Sequence, residues 1–395
     1  MKTIPTWLVV AGARPNFVKI APLMKAIRRY NDHDASAGPS VRAVLVHTGQ
    51  HYDRNLSSVF FEELDIPGPD VNLGVGSGGH GEQTGMVMIA LEKFISAERP
   101  DLVIVVGDVN STLAAALVSV KLAIPVAHIE AGLRSFDRTM PEEINRVLTD
   151  HVSDYLFTPC EAADRNLLRE GIARERIFPV GNILADSVAM ILPKTSQSAA
   201  APFVSGIARR CGTEGRYALL TLHRPSNVDR KEVLEGLITT ISDLSTRVPV
   251  IFPVHPRTVK QIRTFGLEKH LVWLDEEPLA ARSETGGRIF AVPAMGYLDF
   301  IAVLRGADMA FTDSGGVQEE SALLGVPCIT LRDRTEWTVT VECGSNILAG
   351  QDPESIRTAF SAALSRQHRQ DPRPPDLWDG SAAERIVGTL KETVR

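Results

Sequence analysis

The segment Leu102–Val106 reads LVIVV and stops at Gly107. Five consecutive branched apolar residues leave no face for water, so the segment predicts a strand buried on both sides. Such strands occur almost only in parallel sheets with helices on each face. The same punctuation recurs along the chain. Residues 6–10, 41–47 and 125–129 read as strands in the first half, and 217–222, 248–254, Ile289–Val292 and Met309–Thr312 in the second. Stretches with helical spacing lie between them, at 17–30, 57–64 and 112–122, with a last one at 381–393. This alternation predicts an α/β protein built from two doubly wound, Rossmann-like domains in tandem.

Length agrees with that count, since 395 residues at roughly 100–200 per domain suggest two domains. The rhythm pauses near residue 180, and 194–202 (KTSQSAAAP) reads as a linker or a helix end. Residues 366–376 (RQHRQDPRPPD) form a proline- and charge-rich loop before the last helix. The expected domains are 1–183, carrying most of the candidate acids, and 184–375, followed by a closing helical segment at 376–395. Hydrophobic residues at 44% and charged residues at 23% exclude global disorder. A net charge of −6 implies no sequence-independent grip on nucleic acid, so any phosphate binding must be local. No apolar run approaches the roughly 18 residues of a membrane span. The apolar run at 7–12 lacks the length and cleavage pattern of a secretion signal. Cys160, Cys211, Cys328 and Cys343 show no CxxC spacing and no metal-ligand rhythm, as expected for reduced thiols in a cytoplasmic protein.

In doubly wound sheets, ligands bind beyond the carboxyl ends of the strands. Those positions hold Arg14, Asp108, Glu130, His223, His255 and the 313–316 turn. The segment FTDSGGVQEE (311–320) runs from an apolar strand through Ser314-Gly315-Gly316 into a helix. Glycines let a ligand approach the backbone, and free N–H groups at a helix start suit an anion. Glu320, about one turn into that helix, suits sugar hydroxyls. The plain alternative is an ordinary strand-to-helix turn capped by Ser314. After the first strand, GARPNFVK (12–19) opens another helix, with Pro15 near its first turn. Arg14 sits where a cation can meet a diphosphate, and Lys19 lies five residues on. The alternative is two solvated basic residues. Asp108 and Glu130 each directly follow a buried strand, whereas Glu142 and Glu143 lie where a helix first turn favours acids. For Glu143 that structural role is the preferred reading. Acids whose environments differ can divide general acid and base roles. His223 and Arg224, after the first strand of the second half, suit an anion, and His255 holds the equivalent place after the next strand. A structural histidine is the default for either one alone.

Two patterns carry little. GSGGHG (76–81) matches GxGxxG, but it follows only a short polar strand and has no ribose-binding acid placed behind it, so a loop is expected there. His47 and His51 are four apart with Gly49 between them, which does not make a helical metal pair.

Taken together, the motifs resemble those of the non-hydrolysing UDP-N-acetylglucosamine 2-epimerases. The matching segments are GARPNFVKIAPL (12–23), TGQHYD (48–53), GDVNST (107–112), HIEAGLRS (128–135), PEEINRVLTDH (141–151), GN (181–182), HRPSN (223–227), PVHPRT (253–258) and TDSGGVQEE (312–320). They occur in order over nearly the whole chain. The resemblance implies a glycosyltransferase-B-like fold, in which two Rossmann-like domains enclose a UDP-sugar and the last helix returns to the first domain. It implies a homodimer and a reaction without NAD. The family's reaction inverts C2 of UDP-GlcNAc to give UDP-ManNAc. UDP is eliminated to leave a 2-acetamidoglucal, then added back with protonation from the opposite face. By this resemblance Arg14, His223 and the Ser314, Gly315 and Gly316 backbone stabilise the departing diphosphate, and Glu320 binds the ribose. Asp108, Glu130, Glu142 and Lys19 match the catalytic acids and the active-site lysine, and the face each acid serves is left open. A glucal that escapes hydrolysis implies a site that closes.

The chain departs from its relatives in two places. Many read TERP where this chain has Thr335-Glu336-Trp337-Thr338, and relatives acting on UDP-2,3-diacetamido uronic acids can carry Trp there. Some bacterial members bind a second UDP-GlcNAc as activator through Gln-His-x-Gln, but here Gln50-His51-Tyr52-Asp53 lacks the second glutamine. The competing functions are a glycosyltransferase on the same fold, a hydrolysing epimerase that releases ManNAc and UDP, and a silent UDP-sugar sensor. Intact Asp108, Glu130 and Glu142 count against the sensor, and acids clustered with Lys19 suit proton transfer at the donor sugar better than transfer to an acceptor.

Overall fold

The computed structural model describes residues 4–32, 40–49, 63–66, 68–274, 289–365 and 374–394, without the side chain of Arg14. The predicted helix at 57–64 and the Gln50–Asp53 segment lie almost wholly outside the described residues. The chain divides into two compact units, one of residues 1–190 with 375–395 and one of residues 191–374.

The first unit holds β1 (Thr6–Ala11), β2 (Arg42–His47), β3 (Val71–Asn72), β4 (Leu102–Val106), β5 (Val126–Ile129), β6 (Tyr155–Thr158) and β7 (Ile177–Pro179). These pair in the order β3-β2-β1-β4-β5-β6-β7, and every pairing is parallel. All five residues of β4 are fully buried, as its uninterrupted apolar sequence requires. Strand order reverses between β1 and β4, so the chain leaves those two strands in opposite directions and opens a crevice at their carboxyl ends.

The second unit repeats the plan with β8 (Ala218–Thr221), β9 (Val250–Pro253), β10 (Leu271–Trp273), β11 (Ile289–Val292), β12 (Met309–Thr312), β13 (Cys328–Thr330) and β14 (Asn346–Leu348). Its order is β10-β11-β9-β8-β12-β13-β14, again all parallel, with the reversal between β8 and β12. Its core is built from both sheet faces and the helices over them: Leu220, Phe252 and Phe311 with Leu237 and Ile241 on one side, Leu219 and Ile251 with Val303 on the other. Among the described residues no helix is long and apolar enough to cross a membrane.

The 194–202 segment is neither an open linker nor a simple helix end. It forms a 3₁₀ turn, Leu192–Gln197, that leads into the helix Ala200–Arg210. The helix before it, Ile183–Ile191, stays with the first unit because Ser187 Oγ donates to the Val18 carbonyl at 2.6 Å. Residues 76–79 of the glycine segment form a loop, as expected, and it is held at both ends. Gly76 N donates to Gly49 O at 3.0 Å, Gln83 Nε2 reaches Gly76 O, and the helix His80–Glu98 begins within the segment. That start is silent in the sequence because the cap is Gly79, which offers no side-chain acceptor.

The last helix, Ala382–Thr393, packs on the helix Arg14–Asp32, with the Lys391 ammonium 4.7 Å from the Tyr30 ring centre. Trp378 Nε1 ties the approach to the Pro159 carbonyl at 2.9 Å. Ser381 makes no side-chain cap bond, and Asp186 supplies one instead by accepting from Ala382 N at 3.1 Å and Ala383 N at 2.9 Å. Burial raises the Asp186 pKa to about 6, against the opposing pull of these N–H donors. A carboxyl held above its unfolded value of 3.8 stabilises the fold fully only below that value, and the contribution is lost as pH rises through about 6. The shift corresponds to about 3 kcal/mol. Asp186→Asn is therefore expected to be more destabilising at pH 4 than at pH 7, by up to about 3 kcal/mol. Urea unfolding of both proteins at the two pH values checks this, and a difference that does not change with pH contradicts it.

Candidate active site

The first unit's reversal point is built from three strand ends. Just past β1, Asn16 Oδ1 accepts from Ala13 N at 2.9 Å and Gly12 N at 3.3 Å, while its Nδ2 donates to Val106 O at 2.9 Å. One amide thus pins the turn after β1 to the end of β4. One helical turn further, Lys19 Nζ donates to Glu130 Oε2 at 2.6 Å. The Glu130 side chain is only 4% exposed, and its Oε1 is buried with no hydrogen-bond partner among the described residues. Its backbone lies at φ +71°, a left-handed conformation costly for a side-chain-bearing residue. Strain and an unpaired buried carboxylate oxygen at one residue mark a place where stability is not the governing requirement.

Asp108 follows Gly107, whose φ of +70° glycine adopts without strain. Asp108 Oδ2 accepts from Arg146 NH2 at 2.6 Å, and its side chain keeps 30% of its surface exposed. Arg146 and Asn145 project from the helix Pro141–Val152, and Asn145 Nδ2 holds the Asp108 carbonyl at 2.8 Å. Arg146 also donates to Glu143 Oε2 at 2.8 Å. Glu142 stands half-buried in the first turn of the same helix. The structure therefore brings Lys19, Glu130 and Asp108 to one edge of the first sheet.

In the second unit the matching place lies between β8 and β12. Asp313, fully buried, accepts from Arg224 N at 2.9 Å, Asn227 Nδ2 at 3.2 Å and His223 N at 3.1 Å. His223 Nδ1 approaches Asp313 Oδ1 at 3.1 Å, and 42% of the histidine side chain is exposed. Burial alone raises the Asp313 pKa, but the hydrogen bond and charge of His223, with the two backbone N–H donors, outweigh it and hold the carboxyl below its ordinary value. A carboxylate at Nδ1 fixes the orientation of the ring and leaves Nε2 for a ligand.

Ser314 precedes the helix Gly315–Leu324 and makes no side-chain cap bond, so the turn's N–H groups are not claimed by its hydroxyl. A Cβ at Gly315 would lie 2.8 Å from Glu336 Oε1 and 3.3 Å from Trp337 Nε1, so any larger residue would have to displace the Glu336 carboxylate. Glu336 is held by Arg332 NH2 at 2.8 Å, and Trp337 is buried. The departure at Trp337 thus falls directly against the phosphate-type turn. Gln318 Nε2 donates to the Ser314 carbonyl at 3.2 Å, and Gln318 Oε1 is itself fixed by Thr335 and Asn346. Glu320 is buried, and its charge, after burial itself, pushes up the pKa of the buried Tyr297 hydroxyl.

Sequence reading leaves several of these groups unassigned. Glu143 is not simply an acid suited to a helix start. It is buried and accepts from Ser135 N, Ser135 Oγ and Phe136 N, as well as from Arg146. Lys19 is ion-paired rather than solvated. Asn16, Asn145, Arg146 and Asp313 act through partners far along the chain, which no local pattern reports. His255 keeps a structural part, accepting from Arg257 N at the start of the helix Pro256–Phe265. The Arg14 side chain lies outside the described residues.

Comparison with known proteins identifies the family. The family described as UDP-N-acetylglucosamine 2-epimerase matches residues 33–391. A UDP-N-acetylglucosamine 2-epimerase of Methanocaldococcus jannaschii is 43% identical over 386 residues, covering 97% of this chain and 98% of that protein. A UDP-2,3-diacetamido-2,3-dideoxy-D-glucuronate 2-epimerase of Pseudomonas aeruginosa is 40% identical, with coverage of 97% and 98%. The crystal structure of the M. jannaschii UDP-GlcNAc 2-epimerase in complex with UDP-GlcNAc and UDP superposes with a TM-score of 0.84 at 42% identity, covering 98% of this chain and 99% of that one. The Neisseria meningitidis UDP-GlcNAc 2-epimerase bound to UDP-GlcNAc gives a TM-score of 0.82 at 26% identity, covering 98% and 100%. This protein has their glycosyltransferase-B-like α/β architecture, and the chain belongs to the UDP-N-acetylglucosamine 2-epimerase family.

Proposed function

We propose that the protein is a non-hydrolysing 2-epimerase that interconverts UDP-N-acetylglucosamine and UDP-N-acetylmannosamine. The observation that carries this reading is the Lys19–Glu130 pair, with its unpartnered buried oxygen, beside Asp108. The C2 hydrogen of the sugar is not acidified by a carbonyl, so direct exchange at C2 is not available. Elimination avoids that barrier. A carboxylate removes the C2 proton, the C1–O bond breaks with its electron pair leaving on UDP, and a C1=C2 double bond forms. UDP then attacks C1 again, and a carboxylic acid returns a proton to the other face of C2. Two of Asp108, Glu130 and Glu142 serve these faces, with Lys19 holding Glu130 in place. The Ser314, Gly315 and Gly316 turn, His223 and Arg14 stabilise the negative charge on the departing diphosphate, and Glu320 takes the ribose hydroxyls.

A second reading changes only the sugar, to a UDP-2,3-diacetamido uronic acid. It is favoured by the buried Trp337 against the Gly315 turn and by the Pseudomonas relative. Proton NMR in D2O tests both. With UDP-GlcNAc, deuterium at C2 and a UDP-ManNAc signal are expected. Free ManNAc with UDP indicates hydrolysis instead, and an inert spectrum transfers the assay to the diacetamido uronate.

Two substitutions separate the roles. Glu130→Gln removes the charge while keeping the shape, and kcat is expected to fall by about 10²–10⁴ with UDP affinity unchanged in calorimetry. Retained turnover would remove Glu130 from the chemistry. Gly315→Ala forces its Cβ against the Glu336 carboxylate, and UDP affinity is expected to drop at least about tenfold, or about 1.4 kcal/mol. Unaltered UDP affinity would mean that the turn does not carry the diphosphate.

A further inference from the structure

His128, in β5, is wholly buried, and both of its ring nitrogens are engaged. Nε2 lies 2.9 Å from the Gly107 carbonyl oxygen, and Nδ1 lies 2.7 Å from Asp150 Oδ1. A carbonyl can only accept, so Nε2 carries a hydrogen. The Nδ1 contact with the carboxylate at 2.7 Å holds the other side of the ring. The other Asp150 oxygen, Oδ2, accepts from Gly132 N at 3.0 Å and from Arg134 NH1 at 2.7 Å, which keeps the carboxyl anionic. Arg134 is balanced in turn by Glu170 at 2.7 Å. The residues paired with His128 on the neighbouring strands are Val105 and Leu156, so those strands bring no charge beside it. Among the described residues the charged group bonded to the ring is Asp150, with Arg134 and Glu170 behind it.

These bonds end at two particular places. Gly107 immediately precedes Asp108, and its N–H is also held, by Ile129 O at 3.1 Å. Gly132 lies two residues past the strained Glu130, and its carbonyl is held by Asn166 Nδ2 at 3.0 Å. One buried hydrogen-bonded pair thus fixes the turns that carry both carboxylates. We infer that the His128–Asp150 pair is a positioning element for the proton-transfer acids Asp108 and Glu130. This role rests on the epimerase reading above.

The test is kinetic and uses the intact protein. His128→Gln keeps a contact near Gly107 and loses the one to Asp150, whereas His128→Asn does the reverse. In both variants kcat for C2 exchange is expected to fall at least tenfold, with KM changed less than threefold and UDP affinity intact. A folded variant with wild-type kcat overturns the positioning role. If the wild-type protein shows no C2 exchange with either nucleotide sugar, the epimerase reading itself fails, an outcome distinct from an active wild type beside unimpaired variants.

Discussion

Parallel strand pairing is the constraint from which the rest follows. Each parallel neighbour requires a crossover, so every strand of a sheet ends on the same side, and the backbone groups beyond those ends must be satisfied by turns and helix starts. Where strand order reverses, adjacent strands send their chains to opposite faces, and their carboxyl ends are left without a covering crossover. In the first unit that gap lies between β1 and β4, and Lys19, Asp108 and Glu130 collect around it. In the second it lies between β8 and β12, and His223, Asp313 and Ser314 collect there. Neither cluster is continuous in sequence. Each is assembled by the order in which strands hydrogen-bond.

Burying this much charge needs explicit balancing. An ion taken out of water carries a penalty of several kcal/mol, which only close and well-directed partners offset. The helix Pro141–Val152 supplies many of them from one face. Glu143, Arg146 and Asp150 all turn inward, at helix spacings of three and four residues. Arg146 serves two acids, Asp150 serves an arginine and a histidine, and Glu143 accepts from two backbone N–H groups. Replacing such a network by apolar residues need not weaken a fold. Its presence here therefore speaks for orientation of Asp108 and of the turn after β5 more than for stability.

How much of this was legible depended on the distance over which each residue acts. Leu102–Val106, Ile289–Val292 and Met309–Thr312 were readable to the residue, because branched apolar runs and terminal turns are local. The glycine turn at 314–316 and the acids at the ends of β4 and β5 were also visible, since position after a buried strand is itself a signal. The partnerships were not. Lys19 and Glu130 are 111 residues apart, and His223 and Asp313 are 90 apart. Glu143 has the structural place in a helix first turn that its position indicates, but its partners, the N–H groups of Ser135 and Phe136, depend on how the preceding loop folds back.

Glu130 shows why local rules fail where they do. A glycine there would relieve a left-handed backbone worth about 1–3 kcal/mol, and a shorter side chain would leave no unpaired oxygen. Neither is present. The neighbouring backbone bonds, Ala131 N to Phe157 O at 3.1 Å and the two at Gly132, define the turn so fully that the glutamate must accept its conformation. In return its carboxylate is delivered to the strand end beside Gly107 and Lys19, with one oxygen committed and the other open. A residue satisfied at both oxygens would be more stable but would present no unpaired acceptor at this strand end. The strain and the unpaired oxygen have the same origin: the turn after β5 is fixed by the fold around it, and Glu130 takes the conformation that the turn imposes.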